Sequence, residues 1–487
     1  MRVNGKPLGE VGPSATLDGG KTTHLGAVMI FANSLPGFES FLGAAADGCA
    51  DFGHVVAFVA CALLPAVARR SVHAAGRAIR SELRDAGNLL RFLGGSNSPS
   101  VLLGAAQQRL LDDAHRRDRR LHLLLLDSTQ RGHQGQHCHN SYSCRNTTRR
   151  PAKSTRKQKK THKKSCHCFV FALLLCPDGT RVPYWLPFHT KEYCQIRGWK
   201  HKTQADLAAQ LITDLPLAEA VPVVVVGDTA FEAKQIRKAC AKRHYHWVAP
   251  INPERVLAGA SAAERPKVLS LAEHLEARDF HQTSFRLDRG ELACMARVSW
   301  HRSRSGKHQR VYWVHRRTAE VHSVGEVVLL FSNKKGPATT AEGVSEPKVL
   351  MSDARRASTQ DLLRWYALRW QVELFFKEMK GQLGMSQYQV RDFGRVVGWV
   401  NLCVLAFCYL EHRRRELLAA GGERERAYWQ AARAQALRSR LRQEVEREDL
   451  LEILRRAKDR AGRKRLTALF AAGYDDPTHP RGRRKAG

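Results

Sequence analysis

Acidic residues are scarce in this sequence of 487 residues. Aspartate and glutamate together number 46, against 80 lysines and arginines, so the formal net charge at pH 7 is +34. A surface with this excess repels itself unless a polyanion is bound, and nucleic acid is the commonest polyanion in cells. Hydrophobic residues make up 43% of the chain, which allows a sizeable core and excludes global disorder. The composition therefore favours a folded protein that binds nucleic acid.

The sequence also lacks a long apolar run. The longest, from His54 to Ala68, is interrupted by Pro65 and is shorter than the ~20 residues that cross a bilayer. No basic flank followed by an apolar stretch opens the chain, so we predict no signal peptide. The 12 cysteines are scattered, and a chain of this length does not need disulfides to fold. We therefore expect a protein of the reducing cytoplasm without a membrane partner.

The length predicts more than one domain, and no repeats of solenoid period are found. The segment from Ser71 to Arg80 fits either a helix-turn-helix-like unit on a phosphate backbone or a solvated basic helix face. We expect a disordered N-terminus over 1–32, a helical DNA-binding domain over 33–117, an α/β domain over 118–254, a β-rich insertion over 255–350, completion of the α/β domain over 351–411, and a helical C-terminal region with a basic tail over 412–487.

The α/β region alternates apolar runs with amphipathic stretches, which predicts a mixed sheet covered by helices. A single long helix is expected over 359–381, and a buried apolar helix over 396–410. The predicted strands are 121–126, 166–175, 181–188, 221–227 and 245–250, followed in the insertion by 292–300, 310–315 and 325–331.

Two aspartates, Asp127 and Asp228, each follow a very apolar predicted strand. Burying a carboxylate there is costly unless a cation compensates for it. Ligands of α/β sheets bind at the carboxyl ends of the strands, and paired carboxylates suit a hard cation such as Mg²⁺. These two residues are therefore candidate metal ligands.

A third acid, Glu373, lies on the predicted helix over 359–381. At ~100° per residue, Tyr366, Arg369, Glu373 and Lys380 fall on one stripe roughly 60° wide, beside an apolar face. The stripe offers one carboxylate for a metal, with two cations and a hydroxyl for phosphate. Taken alone, Glu373 could instead form an ordinary ion pair with Arg369 or Lys377 within the helix.

No acidic residue occurs between Ser128 and Pro177, and basic residues are dense within this stretch. Such a segment, inside a domain and directly after a strand, is suited to following a sugar-phosphate backbone. The residues expected to do so are Arg149, Arg150, Lys157, Lys159, Lys160, Lys163 and Lys164.

Together these motifs resemble the DDE transposases of bacterial insertion sequences, in the insertion-sequence-4-like group. That group carries Tyr-(2)-Arg-(3)-Glu-(6)-Lys around its third acid, as Tyr366, Arg369, Glu373 and Lys380 stand here. Its second acid opens an Asp-x-x-Phe motif, present as Asp228 to Phe231, with a long interval of 145 residues before Glu373. Its first acid is often written Asp-Asp-Thr, whereas this chain has Asp127-Ser128-Thr129. The resemblance covers about Leu121 to Arg391.

The resemblance implies a ribonuclease-H-like core in which Asp127, Asp228 and Glu373 are catalytic and hold two Mg²⁺ or Mn²⁺ ions. It implies that Tyr366, Arg369 and Lys380 hold phosphates of the DNA. Double-stranded DNA is the implied partner, cut at the ends of an insertion sequence and joined to target DNA by a protein that acts as a homodimer. Some relatives stabilise an extruded base with an aromatic residue of the insertion, for which Trp300 and Trp313 are conceivable, although an ordinary role in the core is favoured for each.

Other chemistries fit the residues less well. Zinc is conceivable because thiolate and imidazole are its usual ligands, but the spacings match no standard finger. Ser128 and His133 could suggest a hydrolase, yet no Gly-x-Ser-x-Gly elbow is present. Two rivals on the same core remain: a catalytically inactive DNA-binding relative, and a structure-selective nuclease. The zinc candidates are Cys138, His139, Cys144, Cys166, His167 and Cys168.

Overall fold

The structure, a computed structural model, describes most of the chain from residue 35 to residue 456. Five predicted features lie outside the described residues: the N-terminal segment 1–32, the helix from Ser71 to Arg80, the basic residues from Arg149 to Lys160, the strand over 292–300 that contains Trp300, and the basic tail after residue 456. The described ranges are 35–50, 52–63, 86–95, 98–115, 120–133, 138–145, 163–252, 254–259, 261, 265–286, 309–333, 348–388 and 390–456.

Within the described residues, ten strands form one mixed sheet, in agreement with the predicted α/β class. The order is β2-β3-β1-β5-β6-β10-β9-β8-β7, and β4 pairs with the free part of the β3 edge. β1, β5 and β6 are parallel to one another, and the other pairings are antiparallel. The strands are β1 (His122–His133), β2 (Tyr142–Arg145), β3 (Lys163–Leu175), β4 (Arg181–Pro187), β5 (Val223–Val226), β6 (His246–Pro250), β7 (His281–Arg286), β8 (Gln309–Val321), β9 (Gly325–Asn333) and β10 (Lys348–Ser352).

The helices cover the sheet and form a second layer around one long apolar helix, α12 (Phe393–Ala420). Among the described helices, a capping box of Thr203 and Asp206 begins α7 (Gln204–Thr213), and one of Ser358 and Asp361 begins α10 (Thr359–Leu368). The helices are α1 (Phe38–Leu42), α2 (Ala44–Asp47), α3 (Phe52–Leu63), α4 (Ala86–Gly95), α5 (Ser98–His115), α6 (Lys191–Arg197), α7 (Gln204–Thr213), α8 (Lys234–Lys242), α9 (Ser270–Glu273), α10 (Thr359–Leu368), α11 (Trp370–Gly381), α12 (Phe393–Ala420), α13 (Glu423–Ala431) and α14 (Ala434–Arg456).

Helix α12 is long and apolar enough to cross a membrane by length and composition, but most of it is buried inside the protein. Helices α1, α3, α4, α5 and α14 and strand β4 all contact it. Its apolar residues therefore serve a protein core, as the sequence predicts for 396–410, and no membrane is indicated. The N-terminal helices bury their own apolar faces, such as Phe58 against Trp399, on this helix.

A buried ion network fastens β4 to α12. Arg181 donates to Glu411 from Nε at 3.1 Å and to Glu378 from Nη1 at 3.1 Å, while Arg414 donates to Glu411 at 2.9 Å. Burial by itself raises the pKa of Glu411, but Arg181 and Arg414 lower it to about 2. The carboxylate is therefore held charged in the core by two cations, which is the condition under which a buried charge is tolerated.

The β-rich segment expected over 255–350 extends the main sheet. Strand β10 pairs with β6 on one side and with β9 on the other, so the hairpin of β8 and β9 continues the sheet outward. The expected strands over 310–315 and 325–331 both exist and are longer than predicted. Residues 412–456 are helical as expected.

Two boundaries differ from the sequence-based expectations. Strand β1 does not end at Asp127 but runs on to His133, because β3 pairs with it from Leu123 to His133. The helix expected over 359–381 is divided at Arg369 into α10 and α11. Around the division the amide of Arg369 donates to the carbonyl of Tyr366, and the amide of Val372 to that of Arg369, a tighter three-residue step than in an α-helix.

Candidate active site

Asp127 lies in the middle of β1 at the point where the pairing with β5 ends. Leu125 pairs with Val226, the last residue of β5, so the same register sets Asp127 beside Asp228 on the neighbouring strand. Asp127 is 9% exposed, and its Oδ1 accepts the amide hydrogen of Ser128 at 2.7 Å. The two aspartates thus meet at one edge of the parallel strands, as the sequence predicts, although β1 itself continues.

Asp228 is the second residue after β5 and precedes a short 3₁₀ turn, Thr229–Phe231. Its Oδ1 accepts the amide hydrogen of Ala230 at 2.9 Å, which fixes the carboxylate direction. Phe231 is buried, and it packs so closely on Gly227 that a Cβ there would lie 2.8 Å from the Cβ of Phe231. The Asp-x-x-Phe motif is therefore a turn whose phenylalanine anchors the loop that carries the acid.

Glu373 lies in the first turn of α11, and Arg369 connects it to Asp127. The guanidinium of Arg369 is 3.3 Å from Oδ2 of Asp127 through Nη1 and 3.6 Å from Oε1 of Glu373 through Nη2. The apolar face of α11 is packed on the sheet through Phe375 and Phe376, each 5.4 Å from Phe171 between ring centroids. Phe171 is the residue of β3 that pairs with Asp127 of β1. The packing of α11 on Phe171 therefore places Glu373 at the same height along the strands as Asp127.

The electrostatics of these side chains show that the three acids share one environment. Burial, which is the largest cause, and the charges of Glu373 and Asp228 together raise the pKa of Asp127 to about 6, against the lowering effects of the Ser128 amide and Arg369. Burial lowers the pKa of Arg369, but Tyr366, Asp127, Glu373 and Asp228 bring it above its ordinary value. The site therefore holds more negative charge than its single central cation can balance.

The other two stripe residues flank this centre. Lys380 donates from Nζ to the carbonyl of Gln130 at 3.5 Å, three residues along β1 from Asp127. The hydroxyl of Tyr366 accepts a hydrogen bond from Nζ of Lys348 at 2.8 Å, and the same ammonium lies 4.3 Å from the ring centroid. The division at Arg369 leaves Tyr366 on α10 and Lys380 on α11, and both helices keep these residues at the sheet edge where the acids lie.

Lys348 is a site residue that the sequence reasoning missed. It begins β10, which runs antiparallel to β6, so its position is at the sheet end where β5 and β6 terminate. Its position follows from the sheet topology. Because β10 is antiparallel to β6, the first residue of β10 lies at the end of the sheet where β5 and β6 have their carboxyl ends. No spacing in the sequence carries that information.

The residues present suit a divalent metal by their chemistry. Burial and the nearby charges of Glu373 and Asp228 raise the pKa of Asp127 to about 6, and a hard cation with oxygen ligands would relieve both costs. In the described arrangement Arg369 bridges Asp127 and Glu373, and across the described part of the chain no three His, Cys, Asp or Glu side chains are assembled as a ready metal cluster. The donor set fits a metal by its chemistry, and Arg369 lies between two of the three acids.

Two of the six residues considered for zinc, His167 and Cys166, are engaged in other contacts. Both ring nitrogens of His167 are in hydrogen bonds, Nδ1 with the hydroxyl of Tyr388 at 2.9 Å and Nε2 with the carbonyl of His139 at 2.8 Å. Cys166 is disulfide-bonded, whereas Cys138 and Cys168 are free cysteines. These contacts give His167 and Cys166 structural roles.

Of the residues predicted to contact DNA away from this centre, three lie in the described part of the chain. Lys163 and Lys164 open β3 opposite Arg145 and Cys144. Trp313 lies in β8, half-buried against the core. The residues Arg149, Arg150, Lys157, Lys159 and Lys160 lie outside the described residues.

Residues 118–409, more than half of the chain, match the transposase DDE domain family. The chain belongs to this family. A comparison with curated proteins gave no match. The matched range begins just before β1 and ends within α12, so it contains Asp127, Asp228 and Glu373 together with the strands and helices that carry them. Family membership supports a transposase that recombines DNA, and DDE transposases generally use divalent metal ions.

Replacing Arg369 by alanine is expected to slow DNA cleavage about 10- to 100-fold while changing DNA affinity little, because a charge-assisted hydrogen bond at a reacting group contributes about 1.5–3 kcal/mol. Single-turnover cleavage and equilibrium binding measure the two effects separately. Arg364→Ala, on the preceding helix α10, is the control. Unchanged turnover in Arg369→Ala would remove this residue from the site.

Proposed function

We propose that this chain is a cut-and-paste DNA transposase of the insertion-sequence-4-like group. It cleaves the ends of an insertion sequence and joins the 3′-hydroxyl ends to target DNA. The observation that carries the proposal is the meeting of Asp127, Asp228 and Glu373 around Arg369 at one sheet edge, inside the matched family range. We place the protein in the bacterial cytoplasm, at the nucleoid.

In this proposal Asp127, Asp228 and Glu373 are the catalytic residues and the ligands of two Mg²⁺ or Mn²⁺ ions. Ions held by these three carboxylates would supply Lewis-acid activation of water and then of a DNA 3′-hydroxyl, and would stabilise the leaving oxygen of an in-line displacement. Asp127 contributes a carboxylate oriented by the Ser128 amide, and Asp228 one oriented by the Ala230 amide. Glu373 approaches from α11, whose position is fixed by packing on Phe171.

Tyr366, Arg369 and Lys380 are proposed to bind DNA phosphates near the cleaved end. From Arg369 to Lys380 the helix rises about 16 Å, which spans several nucleotides at ~3.4 Å per step of one strand. The guanidinium of Arg369 contacts the carboxylates of Asp127 and Glu373. A phosphate of the bound DNA is another anion to which this guanidinium can donate hydrogen bonds. We add Lys348, which approaches Tyr366 from β10, to this group.

The basic residues after β1 are proposed to follow the DNA backbone. Changing Lys157, Lys159, Lys160, Lys163 and Lys164 together to glutamine should flatten the plot of log affinity against log salt concentration by up to about 4 units of slope, since each phosphate contact contributes about 0.9. The matched control changes Lys234, Lys238 and Lys242, which are exposed on α8. A flat salt dependence in the unmodified protein would contradict backbone tracking.

A strand-transfer assay tests the proposed function against its two rivals. Precut DNA ends taken from the sequence flanking the gene are incubated with the full chain, target plasmid and Mg²⁺. Joining of 3′ ends to the target supports the transposase, cleavage without joining supports a structure-selective nuclease, and binding without cleavage supports an inactive DNA-binding relative. A homodimer is expected on paired ends, and light scattering of the complex measures it.

A further inference from the structure

An exposed apolar pair lies on and just after helix α6. Ile196 is 82% exposed and Trp199 is 52% exposed. In the described part of the chain only six large hydrophobic side chains are exposed, and these two are three residues apart. A concentrated apolar spot of this kind on a charged surface marks a contact site more often than scattered single residues do.

The tryptophan is held in a fixed orientation by an aromatic cluster. His189 stacks on Tyr193 at 5.7 Å between centroids, and Trp199 meets both edge-on, at 5.2 Å and 6.0 Å. Phe393, at the start of α12, packs against His189 and Tyr193 from the protein interior. Trp199 is therefore braced by its neighbours, while half of its surface stays open.

The chain turn after α6 also directs Trp199 outward. Gly198 ends the helix with φ +66°, a conformation that favours glycine, and the amide of Trp199 donates back to the carbonyl of Cys194 at 2.8 Å. Thr190 caps the other end by accepting from the amide of Tyr193 at 3.2 Å. The short helix is thus closed at both ends, and its exposed residues do not depend on a flexible loop.

Positive charge surrounds the cluster. Between residues 189 and 202 there is one acid, Glu192, and the net charge is +3 with both histidines counted as neutral. The cations are Lys191, Arg197, Lys200 and Lys202, of which Arg197 lies 5.5 Å over the ring of Tyr193. We call residues 189–202 the α6 patch.

The α6 patch lies at the same end of the sheet as the acids. The amide of Phe188, just before the patch, donates to the carbonyl of Cys168, and Cys168 pairs with Gln130 of β1. Gln130 is the residue whose carbonyl Lys380 contacts. Since β3 separates β4 from β1, the patch begins about 10 Å across the sheet from β1. A DNA strand leaving the acids in this direction reaches it.

We propose that the α6 patch is a subsite for an unpaired nucleotide of the DNA substrate, whose base stacks on Trp199 while the surrounding cations hold the adjacent phosphates. This inference rests on the proposed function, because it assigns a further contact to the same DNA. A braced aromatic face among cations is the arrangement that binds single-stranded nucleic acid. A base inside a duplex cannot use that face, since both of its own faces are already stacked on neighbouring bases.

The test compares two labelled DNAs in fluorescence anisotropy with EDTA present, so that no cleavage occurs. One is a plain duplex and the other is the same duplex with a short single-stranded overhang. The full-length protein is expected to bind the overhang DNA about 5- to 100-fold more tightly, from the usual contribution of one stacked base. Trp199→Ala should lose this preference and keep its duplex affinity within about twofold, while Trp199→Phe should keep most of the preference.

Val101→Ala removes another exposed hydrophobic residue, 61% exposed on α5, and should leave both affinities unchanged. The inference is overturned if the unmodified protein shows no overhang preference, if Trp199→Ala retains it, or if Trp199→Ala weakens both DNAs equally. The strand-transfer assay is independent of this result. Joining without overhang preference refutes the subsite alone, and overhang preference without cleavage refutes the transposase activity alone.

Discussion

Asp228→Asn and Glu373→Gln are each expected to reduce DNA cleavage at least about a thousand-fold while DNA binding stays within a few-fold of the unmodified protein. Each change keeps the shape of the side chain and removes the charge that a metal ligand needs. Asp228 retains its hydrogen bond to the Ala230 amide as asparagine, so the turn before α8 is preserved. Single-turnover cleavage in Mg²⁺ and binding in EDTA give the two quantities.

Glu219→Gln is a matched control for these substitutions. Glu219 is an exposed acid just before β5, at the opposite end of the strand that leads to Asp228. It should cleave DNA at the unmodified rate. If Asp228→Asn or Glu373→Gln loses binding in proportion to cleavage, a role confined to metal binding is refuted.

The strands that carry the site could be predicted because their composition leaves few alternatives. Four consecutive valines form β5, and the leucines of β1 are buried on both faces, so each run is a strand of a covered sheet. The following acids are then placed at one sheet edge by topology. The family resemblance added the third acid, which the helical stripe alone left open to an ordinary ion pair.

The end of β1 and the break at Arg369 could not be predicted, because both depend on partners distant in sequence. The extension of β1 to His133 depends on hydrogen bonds to β3. Residues 128–133 contain no apolar run, so the sequence does not predict a strand there. At Arg369 the helical pattern continues unbroken in sequence. In the structure its side chain reaches Asp127, 242 residues away, and such a contact leaves no periodic signal.

Asp127→Asn is expected to abolish cleavage and at the same time to stabilise the metal-free protein. Because the pKa of Asp127 is raised to about 6 from an ordinary 3.8, its ionisation costs folding free energy as the pH rises through this window. Well below pH 3.8, Asp127 is protonated in both the folded and the unfolded state, and the cost vanishes. Above pH 6 the cost is full, on the order of 3 kcal/mol, and at pH 5 about half of that. Asparagine removes it.

Thermal unfolding in EDTA at pH 5 and pH 8 measures this effect, and the stabilisation by Asp127→Asn should be larger at pH 8. Glu411→Gln provides the contrast, because the pKa of that buried carboxyl is lowered to about 2 and its charge is needed by Arg181 and Arg414. It should destabilise the fold at both pH values. Mg²⁺ should then raise the melting temperature of the unmodified protein more than that of Asp127→Asn, since binding to the folded state stabilises it. If Asp127→Asn melts lower than the unmodified protein at pH 8, Asp127 is a structural carboxylate whose ion pair with Arg369 outweighs the repulsion of Glu373 and Asp228.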